Sequence, residues 1–387
     1  MLCFCQEIFD FSPQRINAML TLGIETSCDD TAAAVLKDND ILLSSVLSSQ
    51  DQIHTRFGGV VPELASRKHL EAIVPIVQEA LDRASVTLKE IDLIAVTQGP
   101  GLIGSLLVGF CYAKAISYVT RIPYIGIDHM AGHLLAVFLE EDKPEFPYIA
   151  LIVSGGTSSI YLAQSHTSFS LLGRTRDDAA GEAFDKVAKL LGLPYPGGPR
   201  VSAEAMAGNS SAIKFPRAWL GRSLSFHGVH VSSTFGTSDI GPFLASPVDT
   251  FPAMHVEDES LDFSFSGLKT AVLNHCNQSR QKDIPLQIPD ICASFQEAIV
   301  DVLVEKTLHA ARQHNIQTIV MGGGVSANPR LRESMLDRCQ QEKKSLFVPR
   351  PSFCTDNGAM IAMAGFYYSR KSVPGSYDQD VYSRSQI

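Results

Sequence analysis

The chain has 387 residues, 45% of them hydrophobic and 19% charged, which is enough for two globular domains with a substantial core. Its formal net charge of -9 excludes a strongly basic nucleic-acid binder, so any RNA contact needs a local basic patch or a basic partner. The 8 cysteines form no C-x-x-C pair, which argues against a disulfide or zinc framework and predicts free thiols in a reducing cytoplasm.

The first predicted strand follows Met19. Residues 1–18 contain acidic side chains and lack an apolar core, so they resemble neither a secretory signal nor a transit peptide. We treat them as an extension or a misassigned start. No segment is expected to be long and apolar enough to span a membrane, which predicts a cytoplasmic protein without a membrane partner.

Two stretches far apart in the chain share one pattern. Leu20–Leu36 and Tyr148–Ala163 each predict a strand, a small polar turn and a second strand. Each turn alone is typical of an ordinary hairpin, but backbone amides in such turns also form anion-binding nests. The repetition predicts two related α/β domains with paired phosphate loops, at residues 19–147 and 148–387.

An α/β segment lies between the two repeats. Glu63–Ala84 has helical periodicity, and Pro75 predicts a kink in that helix. Gly99–Gly104 reads GPGLIG between a strand and a helix, which partly matches the dinucleotide-binding pattern G-x-G-x-x-G. Because the motif is not on the first strand and contains Pro100, a tight turn with close helix–sheet packing is favoured over a nucleotide site.

Two histidines stand four residues apart in HMAGH. At helical spacing, His129 and His133 lie on one face, close enough to share a metal ion. Metalloproteases use a similar pair in H-E-x-x-H, where the Glu is the general base, but Met130 occupies that position here. The missing Glu argues against a metallopeptidase. Spacing alone favours two histidines hydrogen-bonded in a polar core over a metal site.

Acidic residues cluster in Asp177–Gly192, which is predicted as an amphipathic helix and is followed by the turn PYPGGP at Pro194–Pro199. Asp178 and Asp185 fall on one face of that helix, either for a ligand or as a solvated acidic surface. The segment at about 214–260 is rich in Ser, Gly and Pro and predicts a surface insertion.

Two further turns close the chain. Thr318–Met335 predicts a strand, a turn with three glycines and a helix, with Asn328 as N-cap and Pro329 at the first helical position. The glycines allow close approach of a ligand to the backbone, so this turn predicts nucleotide contact. Asp356 is predicted to open a last helix of small residues.

Nine segments occur in an order that is similar to one known family: GIETSCDDT, GGVVPELASRKH, TQGPGLIGSLLVG, HMAGH, VSGG, DDAAGEAFDKVAKLLGLPYPGGP, FSFSGLKT, GGGVSAN and CTDNGAMIA. From about Leu20 to Phe366 the chain resembles the universal tRNA threonylcarbamoyladenosine synthesis family, most closely its bacterial TsaD branch. The resemblance implies an α/β ASKHA (actin/sugar-kinase/Hsp70-like) fold. It also implies transfer of threonylcarbamoyl from threonylcarbamoyl-AMP to N6 of adenosine 37, in tRNAs reading ANN codons.

The resemblance also implies ligands, partners and residue roles. His129, His133 and Asp356 match the family's ligands to one divalent transition metal, iron(II) or alternatively zinc. Asp29 matches a position proposed to assist transfer. Implied partners are tRNA, a TsaB-like paralogue and a TsaE-like ATPase. The residues that match substrate contacts are Ile152, Val153, Ser154, Gly155, Gly156, Asp185, Gly198 and Asn328.

The chain departs from the family pattern in three places. Thr157 replaces the usual His of the substrate loop, Ile152 stands where archaeal relatives have a Tyr, and the 214–260 insertion is additional. The alternative functions are an ATP-dependent phosphotransferase or ATPase on the same fold, a metallopeptidase, and a non-catalytic tRNA-binding scaffold. Arg67, Lys68 and His69 form the candidate tRNA patch of an acidic chain, which predicts weak, salt-sensitive binding by the chain alone.

Overall fold

The computed structural model describes residues 18–218, 260–371 and 374–387. The predicted N-terminal extension, apart from residue 18, lies outside the described residues. So does most of the predicted insertion, since only its ends at 214–218 and 260 are described. The predictions about the body of either segment therefore remain predictions.

Two five-stranded sheets carry the fold, and they share one topology. Their orders are β3-β2-β1-β4-β5 and β10-β9-β6-β7-β8, so each repeat contributes an antiparallel meander and then two parallel strands on the side of its first strand. The predicted duplication is confirmed. The strands are β1 (Leu20–Glu25), β2 (Asp30–Lys37), β3 (Ile41–Ser49), β4 (Leu93–Gly99), β5 (Tyr124–Asp128), β6 (Tyr148–Val153), β7 (Ser158–Ser165), β8 (Ser168–Arg174), β9 (Thr318–Gly322) and β10 (Ser345–Phe347).

Helices pack on these sheets and connect their strands. The α-helices of the described residues are α1 (Asp51–His54), α2 (Pro62–Ala84), α3 (Ile103–Thr120), α4 (His129–Leu135), α5 (Ala180–Leu190), α6 (Gly197–Ala205), α7 (Ser266–Gln281), α8 (Ile288–Gln313), α9 (Pro329–Gln341), α10 (Pro351–Cys354) and α11 (Gly358–Ser369). Single 3₁₀ turns occur at Thr55–Phe57, Leu88–Glu90, Ala136–Leu139 and Gly324–Ala327. Pro75 lies inside α2, as predicted.

The C-terminal helix α11 packs on the first sheet although it follows the second one in the chain. Its small residues allow this close contact: a Cβ on Gly23 of β1 would lie 2.1 Å from the carbonyl oxygen of Gly358. Ile361 of α11 belongs to the same hydrophobic core as Ala150 and Ile152 of β6, so the helix also borders the core of the second sheet. The predicted boundary at residue 148 separates the sheets but assigns α11 to the second unit.

The glycines of GPGLIG serve packing, as the sequence favoured. A Cβ on Gly101 would lie 2.4 Å from the carbonyl oxygen of Ser27, and one on Gly104 would lie 2.4 Å from Ser66 Oγ. These contacts bring the start of α3 against the loop after β1 and against α2. At Gly101 the neighbour is a backbone atom, so only a residue without a side chain fits there.

Helix α3 contradicts the expectation that no segment is long and apolar enough to span a membrane. By length and composition alone Ile103–Thr120 meets that criterion. The expectation was wrong because a helix that covers a sheet in an α/β layer also carries few charges. This helix packs against β4 and α2 through buried residues such as Leu106 and Phe110.

Candidate metal centre and ligand loops

Three predicted ligands converge where β5 ends and α11 begins. Asp128 ends β5 and caps α4 by accepting a hydrogen bond from Met130 N at 2.9 Å. This cap starts the helix at His129, so His133 follows one turn later with its ring centroid 4.7 Å away. Asp356 precedes the cap of α11, more than two hundred positions later in the chain.

The ligand atoms of these residues lie close together. Asp356 Oδ1 is 3.1 Å from His133 Nε2 and 3.4 Å from His129 Nε2, and the candidate ligand atoms all lie within 4.8 Å of one another. Both imidazoles are buried, while a quarter of the Asp356 side chain is exposed. Two nitrogens and one carboxylate oxygen form a donor set that suits iron or zinc and leaves one side open.

The electrostatics of the centre favour a cation. Burial alone would raise the pKa of Asp356, but His129 and His133 hold that pKa well below its usual value. Burial would lower the pKa of His129, yet the neighbouring Glu25 and Asp356 carboxylates raise it well above the ordinary value. Two carboxylates thus flank one imidazole, which is an arrangement that stabilises added positive charge.

Sequence reasoning missed Glu25. This residue ends β1, has no exposed surface and places Oε2 2.9 Å from His129 Nδ1. Its only sequence signal is a charged residue at the end of an otherwise apolar strand, directly before the first polar turn. A strand-end carboxylate of this kind can face a site at the sheet edge.

The end of β6 and the loop that follows it contain five predicted substrate contacts. Ile152 and Val153 are fully buried in the core, so only their main chains can reach a ligand. Ser154 N donates to the carbonyl of Thr157 at 2.7 Å, and Thr157 N donates to Ser154 Oγ at 3.1 Å, which closes a tight turn. Gly155 and Gly156 at its tip are exposed and face open space.

Asp185 and Gly198 come together at the start of α6. The structure corrects the sequence here, because the predicted turn PYPGGP contains the first turn of that helix. Asp185 accepts a hydrogen bond from Gly197 N at 2.7 Å, and burial raises the pKa of its carboxyl. A cavity of about 230 Å³ beside it is bounded by Thr55 of the first unit and Tyr195 of the second.

Asn328 is the N-cap of α9, as predicted. Its Oδ1 accepts hydrogen bonds from Arg330 N and Leu331 N, at 2.9 and 3.1 Å, and its amide donates to Gln296 at 2.8 Å. Both ends of the side chain therefore already bind within the protein.

The first loop holds Asp29 between β1 and β2. Burial raises the pKa of the Asp29 carboxyl, and the charge of Asp356 raises it further. His69 fixes the loop from α2: its Nε2 lies 3.0 Å from the carbonyl of Cys28 and its Nδ1 lies 2.8 Å from Thr31 Oγ1.

The candidate tRNA patch on α2 is wrong in its composition. His69 is fully buried, so it cannot belong to a surface. Arg67 and Lys68 are exposed, but each pairs with a glutamate on the same helix, Glu63 and Glu71 respectively. The patch therefore has little net positive charge.

Asp177 and Asp178 both lie outside the helix in which they were predicted, because α5 begins only at Ala180. The helical face predicted to hold Asp178 and Asp185 is therefore wrong. The carboxylate of Asp177 accepts hydrogen bonds from the backbone of Phe265 and from the hydroxyls of Ser264 and Ser266. Asp177 thus fixes the start of α7. Asp178 pairs with Lys186 at 2.6 Å.

Comparison with known sequences identifies the family to which the chain is similar. The family model described as "tRNA N6-adenosine threonylcarbamoyltransferase", TsaD, matches residues 41–363. A relative of that name from Desulfotalea psychrophila is 54% identical over 377 residues, covering 97% of this chain and 99% of its own. Another from Syntrophus aciditrophicus is 47% identical over 347 residues, covering 90% and 91%.

Comparison with solved structures bears on the fold alone. HypF from T. kodakarensis is 13% identical with a TM-score of 0.56, over 91% of this chain and 48% of its own. Full-length HypF in the phosphate- and nucleotide-bound form is 12% identical with a TM-score of 0.54, over 92% and 55%. These neighbours and the duplicated sheets confirm the α/β ASKHA fold. The chain belongs to the tRNA N6-adenosine threonylcarbamoyltransferase family.

Proposed function

We propose that this chain transfers the threonylcarbamoyl group from threonylcarbamoyl-AMP to N6 of adenosine 37, in tRNAs reading ANN codons, in the cytoplasm. The observation that carries the proposal is the convergence of His129, His133 and Asp356 in a chain of this family. The three residues would hold one divalent transition metal, with iron(II) favoured and zinc the alternative. Such an ion supplies Lewis-acid polarisation of an oxygen without needing a neighbouring Glu base, which fits Met130 in HMAGH.

The acceptor amine requires help from the protein. Its lone pair is delocalised into the adenine ring, so the rate must come from positioning and from stabilisation of the AMP leaving group. We assign proton removal to Asp29. Its pKa is raised by burial and by Asp356, which makes its carboxylate a stronger base than an exposed aspartate.

The donor is proposed to lie between the two units. The exposed turn at Gly155 and Gly156 offers open backbone, and Ser154 beside it is only partly buried. Asp185 lines the cavity and a Cβ on Gly198 would meet open space, so we assign these two residues to the nucleoside end. Contacts from Ile152, Val153 and Asn328 are proposed through the main chain, since their side chains are buried or already bonded.

A partner surface is proposed on the first unit. Leu70 and Val74 of α2 and Ile103 and Leu107 of α3 are between 38% and 66% exposed, and the contact of Ser66 with Gly104 joins the two helices. An apolar face of this kind is typical of a protein interface. We assign it to the TsaB-like paralogue. The TsaE-like ATPase completes the assembly, and a basic surface for tRNA would come from the complex.

The proposal is tested by reconstitution. Purified chain, TsaB-like and TsaE-like partners, threonylcarbamoyl-AMP and tRNA are incubated, and the tRNA is digested for nucleoside analysis. We expect threonylcarbamoyladenosine at position 37, and none when the chain is omitted. A phosphorylated product in place of the modified nucleoside would support the phosphotransferase alternative and overturn the proposal.

A further inference from the structure

The carboxylate of Glu25 has three hydrogen-bond donors around it and no contact with solvent. Ser27 N donates to Oε1, Thr97 Oγ1 donates to Oε2 at 2.6 Å, and His129 Nδ1 lies 2.9 Å from the same Oε2. Thr97 is on β4, which pairs with β1 in the sheet. A buried carboxylate is retained at this cost only where such partners compensate it.

The contact fixes which nitrogen of His129 faces the proposed metal. Nδ1 faces Glu25, while Nε2 lies on the side of Asp356 and His133. A histidine binds a metal through an unprotonated nitrogen, and a hydrogen bond from its other N–H fixes the tautomer and the ring orientation.

We propose that Glu25 is the positioning residue of the metal centre: it accepts the Nδ1–H of His129 and directs the Nε2 lone pair of that ring at the metal ion. The inference rests on the proposed metal centre. Glu25 acts through His129 and does not itself reach the ion. Loss of this carboxylate weakens metal binding without removing a ligand.

The hydrogen-bond donors around residue 25 require a glutamate there and not a glutamine. All three neighbours donate, so both oxygens of residue 25 must accept. A glutamine of the same shape carries one NH₂ group. If that group faces Ser27, two donors oppose each other. If it faces His129, then Nδ1 must accept and the proton moves to Nε2, where it blocks the metal. Either arrangement costs energy that a carboxylate does not.

His129 and His133 differ in whether a carboxylate lies beside the Nδ1 atom. Among the described residues His133 Nδ1 is buried and has no hydrogen-bond partner, whereas His129 has a dedicated carboxylate. The orientation of His133 instead depends on the packing of α4, whose residues are all buried. Only one of the two rings is therefore sensitive to an outer carboxylate.

The test is zinc affinity, measured by chelator competition on the isolated chain in the absence of substrate. For Glu25→Gln we expect zinc to bind about 10- to 100-fold more weakly than in the wild type. Glu305→Gln is the matched control, because Glu305 is a partly buried carboxylate of α8 that pairs with Arg312 and Arg338 and not with the ligands of the centre. Its zinc affinity should stay within about twofold of the wild type, which is below one RT of free energy.

A second measurement needs no variant. Histidine ring ¹⁵N spectra of zinc-loaded wild-type protein should show His129 bound through Nε2 with its proton on Nδ1. Zinc bound through Nδ1, or wild-type zinc affinity in folded Glu25→Gln, would overturn the inference. If the proposed metal centre itself were wrong, Asp356→Ala would also leave zinc affinity unchanged, and this result separates that failure from a failure of the role of Glu25.

Discussion

At the scale of single residues, the two aspartates between β1 and the start of β2 are more buried than the sequence suggested. The sequence predicts a small polar turn after β1, but burial raises the pKa of Asp29 in that turn and that of Asp30 at the start of β2, the latter to about 7. Asp30 Oδ1 is buried without a hydrogen-bond partner among the described residues. Periodicity finds such a loop but cannot show which carboxylates lose contact with water.

Asp30 predicts a pH-dependent stability. Its pKa in the folded state, about 7, lies above the ordinary aspartate value of 3.8, so the contribution of Asp30 to stability is fully present below the lower value. The contribution is lost as the pH rises through about 7, because the folded state must then ionise a buried carboxyl.

Asp30→Asn removes that ionisation, so its melting temperature relative to the wild type should rise between pH 4 and pH 8. Asp40→Asn, at an exposed aspartate, is the control and should show no such trend. Thermal unfolding at the two pH values measures both variants. An equal offset at both values would show that Asp30 ionises freely in the folded protein.

At the scale of elements, strands and most helices could be predicted, while their long-range partners could not. The hydrophobic runs and small polar turns of both repeats identified β1, β2, β6 and β7, and the cap at Asn328 identified the start of α9. The position of α11 on the first sheet depends on contacts between distant segments, as does the pairing of Glu25 with His129. Local sequence patterns do not contain those contacts.

The packing of α11 on β1 predicts a severe effect of Gly23→Ala. The added Cβ would lie 2.1 Å from the carbonyl oxygen of Gly358 and 2.6 Å from Ala362 N, both of them backbone atoms that cannot rotate away. We expect a loss of about 3 kcal/mol in the free energy of unfolding, measured by denaturant titration.

Gly267→Ala is the matched control, since its Cβ would meet open space in α7. It should leave stability unchanged or slightly improved, as alanine is the better helix former. If Gly23→Ala lowered the free energy of unfolding no more than Gly267→Ala does, α11 could not pack on β1 as closely as described.

At the scale of the whole molecule, the C-terminal segment, residues 374–387, forms hydrogen bonds at the start of α4, the helix that carries His129 and His133. Asp128, the cap of α4, accepts hydrogen bonds from Tyr382 Oη at 3.1 Å and from Ser385 Oγ and Gln386 N at 3.0 Å each. Lys114 of α3 bonds carbonyl groups of the same segment. The C-terminal segment therefore contacts the junction between β5 and α4, where His129 lies.

Removing hydrogen bonds between the C-terminal segment and Asp128 should destabilise the fold. In Tyr382→Phe with Ser385→Ala, two hydrogen bonds to a buried carboxylate are lost, which corresponds to about 3 kcal/mol in total. We expect a lower melting temperature by calorimetry. Arg384→Ala, at an exposed position of the same segment, should leave it unchanged. Equal melting temperatures for both would mean that the segment contributes nothing to the junction.

The apolar face of α2 and α3 predicts the partner interface. Leu70→Glu places a charge in that face and should weaken binding of the TsaB-like paralogue by at least tenfold, measured by calorimetric titration. Met206→Glu is the control, because Met206 is an apolar residue even more exposed than Leu70, at 85% against 66%, but lies in the second unit. Partner affinity that falls equally in both variants, or in neither, would place the interface elsewhere.

The central claim is that His129, His133 and Asp356 hold a metal ion on which threonylcarbamoyl transfer depends. The most direct measurement is elemental analysis of purified wild type, His133→Ala and Asp356→Ala, alongside transfer to tRNA in the reconstituted system. We predict one transition-metal ion per wild-type chain, a sharp loss of metal in both variants and a parallel loss of modified nucleoside, with the fold retained by circular dichroism. Full metal content and undiminished transfer in both variants would contradict the account.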